Sequence, residues 1–581
     1  MLDHANGSPS ERPLPSASEP VQPDGPVSRR SLLVTGGKLA VLAAMFDALG
    51  QPAAAQTTGE TASPAAGTAA GPAATAASSG DPQPGGTLTI LTPTDASSLH
   101  PGAKTNFYDT FWQTLLYDSL VIHGFDGQIY PALAESWESN AEGTAWTFRL
   151  RRDVVFHSGE PFTAAHVVDH FRRWKEFPSS IKVKLLETVE AADDYTVVCT
   201  LSSPTLVFLN NVSQTEFTYS AIPNMNLVAE LGDNYGLNEA DGTGPYKLEE
   251  WVKDDHLTLV RNDAYAWGPT FYDNAGTAFP ERIIFRTVPE EASRTAMVET
   301  GDADMNIETP PRDVQRLQGA PGVVVASFPR LSINNIGFNM TKPLFQDGNV
   351  RRAIMHGINR DEIVQFVMFG QADAAQGYLP PSMPGANPRE TTLPLVRHDP
   401  EQAARLLDDG GWVPGGDGIR EKEGQKLSFT TYLILEIQEQ VSQVVQAQLR
   451  TIGVDMQIRR LEQAAFDEAM TAGEHDARYH PQFMSTPDHM YFYHTDFIPL
   501  PNSLWWSDPR FDEMFDRSQQ TIDPDERIAT FQEMERYLLE QAVVVPIMHV
   551  RWIIAYRDRV QGTKFHSILP TYKLMDTWIA P

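Results

Sequence analysis

The sequence predicts an α/β protein built from more than one lobe, on three observations. Residues 131–174 read as a hairpin feeding a helix. Residues 438–461 read as a helix feeding a strand, the alternation of an α/β lobe. The chain has 581 residues, 41% of them hydrophobic, which is enough for a large core and for two or three domains. The net charge of −30 argues against nucleic acid, whose phosphates need a basic surface, and is the balance of a soluble exported protein. The single cysteine, Cys199, excludes an intramolecular disulfide and a cysteine metal cage. It lies in the strand-like run 195–201 and reads as a small buried hydrophobe.

Taken in order, the chain opens with a targeting pattern. Arg29 and Arg30 precede a modest apolar run, 39–49, broken by Asp47, and Ala53-Ala54-Ala55 offers a cleavage site before Gln56. The run is shorter than the about 20 apolar residues that span a bilayer. Paired arginines before a weakly hydrophobic stretch predict a twin-arginine signal over 1–55. Residues 56–84 are rich in Ala, Gly, Ser, Thr and Pro without apolar period, and predict a disordered tether.

The folded part begins with a strand after Gly85. Phe107, Phe111 and Leu115, with Tyr108, Trp112 and Leu116, recur at helical spacing and predict an amphipathic helix over 107–120. Asp126-Gly127 marks a hairpin turn. Trp146, Phe148 and Leu150 alternate with Thr147 and Arg149, as in a strand with one buried face. Thr163 is placed to cap a helix whose Val167, Val168, Phe171 and Trp174 form an apolar stripe. Residues 181–262 read as strands broken by turns, 281–288 as a strand, and 290–300 as a helix ended by Gly301. The acids around Asp302 and Asp304 fit an exposed turn with Asp304 opening the next strand. Asp399 and Pro400 start a helix over 398–407. Val441, Val444, Val445, Leu449 and Ile452 form the stripe of a helix that Gly453 ends, and a strand follows over 454–461. Val544 to Ile547 reads as a closing strand.

Catalytic patterns are sparse. The chain has no G-x-S-x-G elbow and no H-E-x-x-H, and no enzyme is expected. The glycines of 242–244 lack the Lys-Ser/Thr of a phosphate loop and are expected to let a crossing strand turn tightly as the chain passes between lobes. His166 and His170 share one helix face but have no third ligand, and are expected at the solvent. His475, His480, His489 and His494 crowd one segment. Imidazole suits nickel, copper or zinc, and the alternative is an aromatic pocket or a wet loop. No resident metal or cofactor is expected.

Several strings recur in a family order. They are PALAESW (131–137), TFRLRRDVVFHSGEPFTAAHV (147–167), LYDSLV (116–121), GTGPY (242–246), LVRN (259–262), GDAD (301–304), VRRAIMHGINR (350–360) and DPEQAARLL (399–407). Together they closely resemble the family 5 extracellular solute-binding proteins, the peptide- and nickel-type receptors of ABC importers. Ser158, His166 and Asn359 stand where that family usually has acids.

The resemblance implies a type II (cluster C) periplasmic binding fold: two α/β lobes, an extra subdomain and a hinge. It divides the chain into a first lobe over 85–128, 243–333 and 550–581, an extra subdomain over 129–242, and a second lobe over 334–549. It implies a monomeric periplasmic receptor that closes on a small organic solute and delivers it to permease subunits. A peptide is the expected solute, with a nickel complex or metallophore, an opine or an oligosaccharide as alternatives and a secreted hydrolase as a remote one. Asp488 is the expected partner of a peptide's amino terminus. Tyr108, Trp112 and Trp505 would supply stacking area, with core packing as their other role. Gln214 and Asn335 would serve a sugar, and Tyr378 lies in a rigid loop expected where the lobes meet.

Overall fold

The computed structural model describes residues 80–101, 107–176, 183–205, 207–214 and 218–581. The expected signal segment and most of the expected tether lie outside these. No helix among the described residues is long and apolar enough to cross a membrane.

The framework is one 12-stranded mixed sheet serving two separate hydrophobic cores. On one side, Thr87–Thr92 runs parallel to Arg282–Thr287, followed by His256–Arg261 and Tyr246–Val252 in antiparallel order. On the other, Ser428–Leu433 runs parallel to Asp455–Arg460 and to Ala477–Phe483, which pairs with Ser332–Phe338. The strand Val544–Arg557 joins the two sides. Its Val545 and Pro546 pair with Ile336 and Asn335, and its Arg551 to Arg557 pair with Pro329 to Val323. Val544, Val545, Ile547 and Met548 belong to the second core, whereas Trp552, Ile554 and Tyr556 belong to the first. A second crossing runs beside it, from Val323–Pro329 into Ser332–Phe338, with Leu331 packed against both cores.

The closing strand is therefore much longer than the four residues read from sequence. Nearly all its residues are buried on both faces, so it carries no alternation to mark its extent.

The hairpin and helix of 131–174 form a satellite unit. Ala134–Ser139, Ala145–Leu150, Thr196–Leu201 and Leu186–Asp193 make a four-stranded antiparallel sheet in that order, and Ala164–Trp174 packs on it. The anticipated stripe of Val167, Val168, Phe171 and Trp174 is buried. So is Cys199, whose thiol burial pushes up to about 12. His166 and His170, expected at the solvent, are buried too. The Thr163 amide donates to His166 Nδ1 at 3.3 Å, and His170 Nε2 meets the Tyr219 carbonyl at 3.0 Å, so both rings serve the helix and its support.

Three further readings are corrected. The helix Asp109–Leu116 is shorter than expected and buried all round. Its polar face is absorbed by local bonds: Asp109 accepts from the Ser97 amide at 2.8 Å, and Gln113 donates to the Ser98 carbonyl at 3.1 Å. Asp304 lies inside, accepting from the Thr89 amide at 2.8 Å and Arg559 Nε at 2.7 Å. The glycines of 242–244 do not mark a passage between cores. A Cβ on Gly242 or Gly244 would overlap the Leu116 or Leu115 carbonyl oxygen, so they let one backbone lie against a helix end.

Candidate functional site: a cleft between two cores

A cavity of about 1390 Å³ opens where the two crossings meet, lined from both sides. The first core's side supplies Phe107, Tyr108, Glu308, Arg330 and Trp552; the second supplies Phe466, Arg478 to Phe483, His489 and Met548. The strand Ala477–Phe483 thus presents most of its length to the space.

Most charges on these walls are already committed. Glu290 caps its helix through the Ala292 and Ser293 amides at 3.0 and 2.6 Å. Arg312 pairs with Glu291 at 2.7 Å, and Arg551 with Asp373 at 3.1 Å. Arg294 donates to the Val288 and Pro289 carbonyls at 2.7 and 2.8 Å. Glu308 accepts from Tyr108 Oη at 2.8 Å. Two further guanidinium groups, like that of Arg294, make no ion pair among the described residues. Arg478 is held by neutral groups, its Nε donating to Ser503 Oγ at 2.6 Å. Arg330 sits among the rings of Phe107, Phe483 and Trp552, its central carbon 4.8, 4.4 and 3.9 Å from their centroids. Burial lowers Arg330 to about 10, so it stays protonated at neutral pH.

Behind the wall lies a polar network. Gln482 Oε1 accepts from Asn335 Nδ2 and Tyr378 Oη, both at 2.8 Å, and from Tyr493 Oη at 2.7 Å. These bonds hold the Gln482 face of the cleft in one arrangement, and Gln482 Nε2 is buried without a hydrogen-bond partner among the described residues.

The sequence-predicted residues scatter against this geometry. Tyr108 lines the cleft. Asn335 and Tyr378 are brought together through Gln482 but stand behind the wall. Tyr378 sits in a loop whose Tyr378 and Leu379 amides donate to Glu535 Oε1 at 2.8 Å, inside the second core. Gln214 is fully buried, its carbonyl accepting from Tyr572 Oη at 3.2 Å. Trp505 donates from its ring nitrogen to the Met470 carbonyl at 3.2 Å and covers Gly473. Trp112 is core, edge-on to Phe285.

Asp488 lies off the main cleft, on a smaller cavity of about 200 Å³. Its Oδ1 accepts from Arg527 and, at 3.0 Å, from Gln519. Burial alone would raise this carboxyl, but the Arg527 charge and these bonds outweigh it and hold it below the usual carboxylate range.

The histidine-rich segment disperses as well. His475 Nε2 meets the Ser503 carbonyl at 2.8 Å, and His494 Nδ1 accepts from the Asp496 amide at 3.1 Å. His480 stacks on Phe466, and burial pulls it down to about 3. No group of three or more His, Cys, Asp or Glu that could hold a metal occurs among the described residues. Arg330 escaped the sequence reading. Its one signal is an arginine standing between two apolar strand runs, 323–328 and 331–338.

Comparison with known proteins agrees with this architecture. The model of the bacterial extracellular solute-binding proteins, family 5 middle, matches residues 128–502. The oligopeptide-binding protein AppA of Bacillus subtilis (strain 168) is 26% identical over 521 residues, 87% of this chain and 93% of that protein. The nickel-binding periplasmic protein of Escherichia coli (strain K12) is 27% identical over 512 residues, 83% and 92% of the two chains. Among solved structures, the periplasmic binding protein DppA from Helicobacter pylori in complex with peptide STSA has a TM-score of 0.74 at 24% identity, covering 86% of this chain and 99% of that one. With its family motifs, its two cores and the cleft between them, this chain belongs to the family 5 bacterial extracellular solute-binding proteins and has the type II periplasmic binding fold.

Proposed function

We propose that the protein is the receptor of an ABC importer. It captures a peptide or peptide-like solute between two hinged lobes and hands it, chemically unaltered, to the permease. The carrying observation is the cavity of about 1390 Å³ lined from both sides, with two strand crossings as its floor. Aromatic walls accept side chains of many shapes, and solute bound to both walls favours the closed arrangement. The lobe boundaries are proposed as those given by the resemblance. Twin-arginine export to the periplasm, action as a monomer and the absence of catalysis belong to the same proposal. Support comes from the Arg29-Arg30 pattern and from relatives named as peptide-binding receptors.

Thermal melting of the purified protein with di-, tri- and tetrapeptide pools tests this. A rise in Tm with at least one pool is expected, since a ligand that binds only the folded state stabilises it. No rise with any pool would remove the peptide reading.

A second reading has a specific observation behind it. His480 lines the cleft, its Nδ1 lacks a partner among the described residues, and burial keeps its ring neutral, ready to complete the coordination of a metal arriving in its own chelate. The nickel-binding relative points the same way. A Tm rise with a nickel–histidine complex that His480→Ala abolishes would favour it.

A further inference from the structure

The guanidinium of Arg330 lies at the crossing of the two cores, and its setting is unusual. Its backbone amide is tied to the Val550 carbonyl at 3.1 Å, which fixes it on the floor of the cleft. Phe107 and Trp552 come from the first core's side, and Phe483 from the end of the strand Ala477–Phe483. Phe107 and Phe483 themselves stack at 4.6 Å with 14° between their planes. The rings crowd round the cation. Its N–H donors are the part left for bonding, and Nε is buried without a hydrogen-bond partner among the described residues. Glu308 is near enough for its charge to act on Arg330, yet it is bonded to Tyr108 instead.

An arginine desolvated in this way, with no directly paired counter-ion among the described residues, is costly unless something completes it. Fork geometry and fixed charge favour one kind of partner, a planar anion with two acceptor oxygens.

We infer that Arg330 is the anchoring residue of the cleft and that the solute carries a carboxylate, bound bidentate at the guanidinium edge in the three-ring cage. The anchor is thus a cation on the floor, not the acid Asp488 in the neighbouring cavity. Because the cage draws rings from both sides of the cleft, a carboxylate seated there touches the junction at which the cleft closes. The inference rests on the receptor reading but does not require that the solute be a peptide.

The test is a panel of matched pairs: tripeptides, N-acetyl amino acids and sugar acids, each beside its neutral amide. Affinities are measured by titration calorimetry on the wild type, Arg330→Gln and Arg330→Lys. On the wild type the acid member of each binding pair is expected to bind at least tenfold tighter than its amide. Arg330→Gln should bring the acid down to the amide's level, and Arg330→Lys, which keeps the charge without the planar fork, should lie between. Equal binding of acid and amide by the wild type overturns the inference without need of any variant, and so does a panel in which only neutral solutes bind. Discrimination that survives in a folded Arg330→Gln overturns it too. Binding confined to sugar acids or acyl amino acids would sustain it while removing the peptide reading. Tripeptides indifferent to amidation would do the reverse.

Discussion

At Asp488 the charge anticipated for a ligand is already paired within the protein through Oδ1, while Oδ2 is buried without a hydrogen-bond partner among the described residues. The carboxylate faces Arg527 and Gln519, and no free charge is left for an ammonium group. Asp488→Asn should therefore act on stability, not on capture. Removing one member of a buried ion pair leaves the other uncompensated, and a loss of about 3 kcal/mol is expected by urea unfolding at pH 7. The folded carboxyl titrates below its unfolded value, so its contribution is full above the unfolded value near 3.9 and fades as pH falls through the folded one. The gap between wild type and variant should narrow accordingly below about pH 4. A variant that keeps full stability but loses solute would contradict this placement. The same residue shows the limit of sequence. A polar side chain announces its chemistry but not its partner, and the partner here lies 39 residues away. Asn335 and Tyr378 are further cases, each consumed by a bond to Gln482 that no local pattern encodes.

Elements were far more legible than side-chain partners. The helix of 164–174, the Asp399 cap and the Gly301 and Gly453 terminators follow from periodicity and local backbone chemistry, which sequence carries directly. The strand Val544–Arg557 was read only at its start, because a strand buried on both faces has no period. Buried histidines on the 164–174 helix defeated the polar-means-outside rule, since a capping bond and a carbonyl bond each tie one ring nitrogen inside. The segment 242–244 was legible as glycine-dependent, but the reason was not. Gly244→Ala should be severe, since the added methyl meets the Leu115 carbonyl, which is backbone and cannot turn aside. A loss of about 3 kcal/mol or more is expected in thermal or urea unfolding, at the upper end for single substitutions. Near-wild-type stability would contradict the close approach.

For the whole molecule, two cores share one sheet through two crossings, and a cleft opens above them. The size of the chain and its α/β alternation pointed to more than one lobe, and the family motifs pointed to this fold. The cleft's contents were not legible. Which residues face it depends on where distant strands cross, and Arg330 enters only through pairing between 323–329 and 551–557. The central claim is that such a cleft retains a solute and returns it unchanged. Mass spectrometry tests it most directly: the purified protein is incubated with an equimolar mixture of di- to tetrapeptides, freed of unbound material, then denatured. A small subset of the mixture, recovered at unaltered masses in near one-to-one ratio with protein, is the predicted result. Recovery of nothing, or of cleavage products in place of the peptides supplied, would contradict the account.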